Sequence, residues 1–222
     1  MSQKTIKKGV ILVSILLLPS LLYLLLYTGE NNFKRPQFYG PKVVSELNNS
    51  DTIYHKIPDF KFVNQNGDTV TQDDYRGKIY VADFFFATCP TICPQMATHM
   101  LEVQKHFYDR KDFALLSHTV NPEHDTVAVL KAYSEKVHAN DDIWSFVTGP
   151  KEELYDIAFK GYFVNALPDE IAPGGFLHSQ FLILVDKKGH IRGYFDGTST
   201  TEVNSLFDAI EILYKEEFAP LK

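Results

Sequence analysis

The order of hydrophobic and polar positions divides the chain into an apolar segment, a polar segment and a longer mixed segment. Residues 10–27 (VILVSILLLPSLLYLLLY) contain no charged residue, and about 17–25 apolar residues suffice for a membrane-spanning helix. Residues 29–56 are polar and show no sustained hydrophobic period, which is typical of a linker. We therefore predict a cytoplasmic tail at 1–9, a transmembrane anchor at 10–28, a linker at 29–56 and a globular domain at 57–222.

The lysines before the apolar run favour one orientation of this anchor. Lys4, Lys7 and Lys8 precede the run, and the cytoplasmic flanks of membrane helices carry an excess of basic residues. The domain is then expected on the outer face of the membrane, in the periplasm or an equivalent compartment. A cleaved signal peptide is the alternative, but its apolar core usually spans only ~7–15 residues, so we favour an uncleaved anchor.

Beyond the linker, short apolar strands alternate with segments of helical period. The run at 78–86 (KIYVADFFF) is rich in β-branched and aromatic residues, which is typical of a strand buried on both faces of a sheet. Strands are predicted at 59–63, 68–70, 78–86, 113–120, 144–148, 180–186 and 190–195, and helices at 71–76, 95–109, 125–137, 151–160 and 201–218, with Asp125 as a helix cap and 161–177 as a loop. This alternation predicts a small α/β sandwich whose central sheet is covered on both faces.

The charge of the predicted domain argues against one class of partner. The chain has a formal net charge of −6, and 17 basic residues face 27 acidic residues beyond residue 35. An acidic surface repels the phosphate backbone of nucleic acids. We therefore expect no nucleic-acid partner.

Two cysteines, Cys89 and Cys93, are the strongest chemical signal in the chain. They lie between the buried strand and the next helix, where the helix dipole is expected to stabilise thiolate and lower the cysteine pKa. Four-residue spacing places both sulfurs on one face, where they can bind one metal ion or close a disulfide. Three intervening residues favour a metal, and thiolates select soft ions such as copper(I). A plain structural disulfide or two buried thiols are the alternative, although a disulfide across so short a loop stabilises little.

A copper site with two cysteines needs further ligands. The chain has eight histidines, most of them expected at the surface: His55, His99, His106, His118, His124, His138, His178 and His190. His178 stands out because it ends a glycine-rich loop and begins a strand, but the pattern leaves a ligand role and a structural role equally open. His99 lies off the cysteine face of its helix, and His124 fits the start of the following helix. Met96 and Met100 lie at core spacing, which favours packing over thioether ligation.

Three blocks of the chain resemble the Sco/SenC family, and they occur in the order found in that family. Residues 84–94 (FFFATCPTICP) resemble its cysteine motif, and residues 119–126 (TVNPEHDT) resemble its second block. Residues 177–189 (LHSQFLILVDKKG) resemble the third block, which contains the histidine ligand of the family. Thr91 and Leu177 stand where family members commonly have acidic residues.

The resemblance implies a thioredoxin-like three-layer sandwich preceded by one transmembrane helix. It also implies a copper site formed by Cys89, Cys93 and His178. The implied function is to deliver copper to the dinuclear copper site of cytochrome c oxidase, or to maintain the thiols of that site. The expected partner is the copper-bearing subunit of the oxidase or another copper protein.

A thiol-disulfide oxidoreductase that uses no metal is the second hypothesis, so enzymatic activity stays open. In that case Cys89 attacks a disulfide of the partner and Cys93 resolves the mixed disulfide, as a redox-active pair. The histidine discriminates the two functions, because thiol exchange does not need His178. A thiol peroxidase is disfavoured, since no arginine lies beside the cysteine motif.

Overall fold

The computed structural model describes residues 3–28, 36–44, 52–168 and 176–218, in two compact units, Met1–Lys34 and Arg35–Lys222. The first unit contains helix α1 (Gln3–Thr28). Helix formation is therefore confirmed for this segment, although Pro19 and Ser20 interrupt its leucine run. The predicted transmembrane anchor is not confirmed: among the described residues, no helix has the length and apolar character that crossing a membrane requires.

The second unit is built on a central mixed sheet. Its described strands are β1 (Lys42–Val44), β2 (Thr52–Tyr54), β3 (Lys61–Asn64), β4 (Thr69–Thr71), β5 (Ile79–Phe85), β6 (Phe113–Thr119), β7 (Trp144–Thr148), β8 (Ala166–Pro168), β9 (Phe176–His178), β10 (Phe181–Val185) and β11 (Ile191–Asp196). Its helices are α2 (Cys93–Phe107), α3 (Val127–Lys136), α4 (Lys151–Asp156), which continues as a π-helical turn (Ile157–Gly161), and α5 (Thr200–Glu217), with a 3-10 turn at Gln72–Tyr75.

Seven of these strands form the central sheet in the order β11-β10-β5-β6-β7-β3-β4. Strands β5, β6 and β7 are parallel, whereas the other neighbours are antiparallel. Parallel neighbours require crossover helices, which are α2 between β5 and β6 and α3 between β6 and β7. The predicted strand and helix alternation is thus confirmed, as is the α/β class.

Side chains of β5 show that both faces of the sheet are covered. Tyr80 and Phe84 point to one face, where the Tyr80 hydroxyl lies 3.2 Å from the Tyr162 hydroxyl and the Phe84 ring lies 5.5 Å from the Tyr162 ring. Phe85 points to the other face and stacks on Tyr133 of α3 at 5.0 Å. Every residue of β5 is buried, as its nearly continuous apolar run predicts.

The segment predicted as a linker contains more structure than its composition indicates. Strands β1 and β2 pair with each other, and the Tyr39 amide donates to the Ile191 carbonyl of β11 at 3.0 Å. Arg192 of β11 donates to the Pro36 carbonyl at 2.8 Å and lies over the Phe38 ring at 4.3 Å. Residues 36–44 therefore pack on the sheet through long-range contacts that hydrophobic period does not reveal.

Two local predictions on the carboxyl side of the cysteines are wrong. Thr126, and not Asp125, caps α3, because the Thr126 hydroxyl accepts from the Val129 amide at 3.5 Å. The region predicted as a loop at 161–177 contains β8 and β9, which pair with Ala166 opposite His178. The part of that loop at 169–175 lies outside the described residues.

Of the seven histidines whose exposure the structure describes, four are exposed or half-buried, as expected for most of them, and three are buried. His99, His118 and His190 are 7%, 0% and 8% exposed. His118 of β6 stacks on Phe84 at 4.9 Å, and its two ring nitrogens have no hydrogen-bond partner among the described residues. The sequence does not single out His118 as buried, because one polar residue inside a strand gives no sign of the aromatic residues that surround it.

Candidate metal and thiol site

The two cysteines lie where the central sheet meets its first crossover helix. Strand β5 ends at Phe85, and α2 begins at Cys93. The turn between them is closed by the Cys89 amide, which donates to the Phe86 carbonyl at 3.1 Å. The carboxyl ends of parallel strands are the usual place for ligand sites in α/β sheets, so the predicted strand-to-helix junction is confirmed and well placed for chemistry.

Both cysteine side chains are buried and lie against each other. Cys89 is 8% exposed and Cys93 is 2% exposed, and Cys89 Sγ lies 3.7 Å from the Thr91 hydroxyl. The hydrogen bond of Cys93 to Cys89, together with burial and the charges of Cys89 and Asp83, raises the pKa of the Cys93 thiol well above its ordinary value, against a lowering by the Phe86 backbone. The expected lowering of this pKa by the helix dipole is therefore wrong for Cys93, because its other surroundings outweigh the dipole.

A buried carboxylate of strand β5, that of Asp83, lies close enough to contribute to the raised pKa of Cys93. Asp83 is 4% exposed and accepts a short hydrogen bond from Ser117 of β6. Ser117 in turn accepts from the Trp144 indole of β7 at 2.9 Å. Sequence reasoning missed Asp83, although an acidic residue inside the apolar run 78–86 was a visible signal, since a buried acid needs a partner.

A second buried carboxylate holds the loop that leads into the cysteine motif. Asp125 is fully buried and accepts from the Ala87 amide at 3.1 Å and from the Thr119 hydroxyl at 2.5 Å. Its other oxygen lies 2.9 Å from Nδ1 of His124. Asp125 therefore ties the carboxyl end of β6 to the residues just before Cys89.

The third predicted ligand is located only by its backbone. His178 is the last residue of β9, and ligation by its side chain lies outside the described residues. Two residues further on, the Gln180 carbonyl accepts from the Gly197 amide at 2.8 Å. The Gly197 carbonyl lies 2.7 Å from Nδ1 of His99 on the cysteine helix. A chain of two hydrogen bonds thus links α2 to the strand that follows His178.

The donor set suits copper better than a harder ion. Among the described residues, no group of three or more histidine, cysteine or acidic side chains is arranged to hold a metal. The two adjacent cysteine sulfurs supply soft ligands of the type that copper(I) prefers. Met96 and Met100 are 1% and 0% exposed within the hydrophobic core, as the packing interpretation predicts.

A shallow groove gives access to one of the two sulfurs. It has a volume of about 260 Å³ and runs between α2 and α3. Its lining is mainly apolar and includes Cys89, Pro94, Leu101 and Tyr133, with Lys136 at α3. Cys89 therefore lines the groove, whereas the less exposed Cys93 does not.

Comparison with known proteins shows that the chain is similar to one family. A model of the SCO1/SenC family matches residues 49–212. The chain is 28% identical over 163 residues to a SCO1 protein homolog of Bacillus subtilis, covering 72% of this chain and 84% of that protein.

Solved structures show the same similarity in three dimensions. BsSco, described as a member of the Sco family of cytochrome c oxidase assembly proteins with a disulfide switch, aligns with a TM-score of 0.62 and 27% identity, over 71% of this chain and 93% of its own. Copper-bound ScoI of Bradyrhizobium japonicum aligns with a TM-score of 0.58 and 25% identity, over 70% of this chain and 96% of its own. The α/β fold is therefore the thioredoxin-like fold of these proteins.

Proposed function

This chain belongs to the SCO1/SenC family, and from that premise we propose that it binds copper through Cys89, Cys93 and His178 and supplies it to a partner copper protein. The partner we propose is the copper-bearing subunit of cytochrome c oxidase, at its dinuclear site. The observation that carries the proposal is the pair of buried, adjacent cysteine side chains at the carboxyl end of β5. Two buried, adjacent thiols provide two soft ligands at one point.

His178 completes the proposed site as a third, nitrogen ligand. Support comes from the hydrogen bonds that link the cysteine helix to the strand after His178, through Gly197. Further support comes from copper-bound ScoI, which shares the fold. A third protein ligand leaves the ion accessible, whereas structural metal sites are usually closed by four protein ligands.

Release of copper can proceed by ligand exchange in the groove beside Cys89. A partner thiol loses its proton as its sulfur bonds to copper, and a cysteine of this chain takes up a proton as its own bond to copper breaks. The hydrogen bond to Cys89 and burial raise the pKa of Cys93, so this thiol recovers its proton readily. The same property opposes loading, because both sulfurs must lose protons to bind the ion.

Thiol-disulfide exchange is a second function that one observation favours. Cys89 lines the groove, so its thiolate can attack a disulfide of the partner and release one partner thiol. Cys93 then attacks the mixed disulfide, which releases the second partner thiol and leaves Cys89 and Cys93 joined. Two electrons pass to the partner, and BsSco, which has a disulfide switch, is similar to this chain.

We further propose that α1 attaches the domain to the outer face of a membrane. Nine large apolar side chains of α1 are each more than half exposed: Ile11, Leu12, Val13, Ile15, Leu16, Leu17, Leu18, Leu21 and Leu22. So large an exposed apolar surface is typical of a surface covered by lipid or protein. Flotation of the full chain with vesicles, and its loss when these leucines are replaced by glutamine, tests this part of the proposal.

Copper(I) stoichiometry and affinity, measured on the reduced full chain in detergent, test the central proposal. The native chain is expected to bind one copper(I). His178→Ala and the double variant Cys89→Ser/Cys93→Ser are expected to weaken or abolish binding, whereas His106→Ala, at an exposed position of α2, serves as the matched control. Native affinity retained in His178→Ala, or no binding by the native chain, would make thiol exchange the leading function.

A further inference from the structure

The turn between β11 and α5 touches the cysteine helix on one side. His99 of α2 is 7% exposed, and its Nδ1 lies 2.7 Å from the Gly197 carbonyl. Gln95, two residues after Cys93, donates to the Thr198 carbonyl at 2.6 Å. A carbonyl oxygen only accepts, so Nδ1 of His99 carries the proton and donates it to this turn.

The same turn touches the strand that follows His178 on its other side. The Gly197 amide donates to the Gln180 carbonyl at 2.8 Å, and Gln180 donates from its side chain to Asp196 at 2.6 Å. An extended chain advances about 3.3 Å per residue. His178 therefore lies within about 7 Å of Gln180 along the backbone.

The turn is held by hydrogen bonds to Asp196 and packs closely against the strand at Gly197. Asp196 accepts from the Thr198 amide at 2.8 Å and from the Thr198 hydroxyl at 2.6 Å. A Cβ atom at Gly197 would lie 3.0 Å from both the Gln180 carbonyl and the Leu182 side chain. Gly197 therefore packs closely against Gln180 and is hydrogen-bonded to it. A shift of Gly197 toward the strand would move the backbone two residues after His178.

We infer that His99 is a positioning residue, which sets the place of His178 relative to Cys93 through the Gly197 turn. The inference rests on the proposed function, because it concerns the third ligand of the copper site. The buried ring of His99 has its Nδ1 hydrogen-bonded to the Gly197 carbonyl, which is the contact through which it holds the turn. Residues that hydrogen-bond directly to a metal ligand typically change metal affinity about 10–100-fold when they are replaced, so a residue that acts through the Gly197 turn is expected at the lower end of this range.

A double-mutant cycle on the full chain separates positioning from a general loss of stability. His99→Leu removes the donor, whereas His99→Asn keeps an amide nitrogen near the position of Nδ1. We expect His99→Leu to lower copper(I) affinity at least about tenfold and His99→Asn to restore most of it. In the His178→Ala background, His99→Leu is expected to change affinity less than about twofold, because the ligand that His99 positions is then absent. Independent sites would instead show the same loss in both backgrounds.

Amide hydrogen exchange of the copper-free chain gives a second readout. Residues 176–182 are expected to exchange faster in His99→Leu than in the native chain, and at the native rate in His106→Leu, which alters an exposed histidine of the same helix. Exchange at 176–182 that is unchanged by His99→Leu would overturn the inference, as would an equal loss of affinity with and without His178. Failure of the native chain to bind copper would refute the proposed function instead, and exchange alone would then decide whether His99 holds this strand.

Discussion

Two buried polar clusters lie at opposite ends of β5, and they differ in how their charges are compensated. At the amino end, Asp186 lies 3.2 Å from the Arg192 guanidinium, which also reaches Glu216 at 3.3 Å. At the carboxyl end, the hydrogen bond to Cys89 and burial raise the pKa of Cys93, and the nearby carboxylate of Asp83 adds to the rise. In the first cluster, opposite charges neutralise each other within the fold. In the second cluster, a carboxylate lies beside thiols, an arrangement that attracts a cation.

The comparison shows which buried polar groups indicate function in this chain. A buried carboxylate beside an arginine is compensated within the fold, and the pair also fastens residues 36–44 to the sheet. A buried carboxylate beside two thiols gains most from a positive ion bound to those thiols. The thiol-bearing end of β5 is therefore where we propose that copper(I) binds.

The largest expected effect comes from breaking the compensated cluster. Arg192→Met leaves Asp186 buried beside an apolar side chain, and loss of one partner of a buried pair costs about 3–5 kcal/mol. Urea denaturation should show a loss of this size, while copper(I) affinity of the folded protein stays native. Arg76→Met, in an exposed pair with Asp59 and Asp73, should cost less than about 1 kcal/mol. A comparable loss of unfolding free energy in Arg192→Met and Arg76→Met would contradict the distinction between the buried and the exposed ion pair.

Removal of the carboxylate that holds the cysteine loop should act on both stability and affinity. Asp125→Ala leaves the Ala87 amide and the Thr119 hydroxyl without their acceptor, which should lower the free energy of unfolding by about 2–3 kcal/mol. Copper(I) affinity should fall about tenfold, as measured by competition with a chelator under conditions where the variant is folded.

The neighbouring residue provides the matched control for Asp125. Thr126→Ala removes the cap of α3 and should cost about 1 kcal/mol without changing copper(I) affinity. If both variants lowered the affinity alike, the effect would arise from α3 as a whole. The proposed role of Asp125 in holding the cysteine loop would then be wrong.

His118 sharpens the comparison, since it is buried with neither an opposite charge nor a thiol beside it. Burial lowers the pKa of His118 to about 3 from 6.5, so the unfolded chain binds a proton between these values that the folded chain does not. The native chain should therefore lose stability, relative to His118→Leu, as pH falls from 6.5 toward 3. The difference in unfolding free energy should grow by about 2 kcal/mol between pH 7 and pH 5. Parallel pH profiles of the two proteins would contradict this.

The sequence predicts those parts of the fold that depend on local pattern. The order of residues shows the nearly continuous apolar run at β5 and the helical spacing of Met96 and Met100 on α2. It also shows the strand-to-helix junction that carries Cys89 and Cys93. Residue type, however, does not show which group lies across the fold. Asp125 is of a residue type that often caps helices, yet its carboxylate accepts a hydrogen bond from the amide of Ala87, 38 positions earlier in the chain.

The same limit applies to the other missed residues. Arg192 binds the Pro36 carbonyl, 156 positions away, and His99 reaches Gly197, 98 positions away. The period of hydrophobic residues describes only neighbouring positions in the chain, so neither of these long-range contacts could be inferred from it. For His178, the pattern predicts the end of a loop and the start of a strand, whereas the residue ends strand β9. Its ligand role comes from family resemblance and stays a prediction.

X-ray absorption at the copper edge of the copper(I)-loaded full chain tests the central claim most directly. The account predicts two sulfur ligands and one nitrogen ligand in the native chain, and loss of the nitrogen ligand in His178→Ala with both sulfurs retained. A spectrum with sulfur ligands alone, or a nitrogen ligand that persists in His178→Ala, would contradict the three-ligand site.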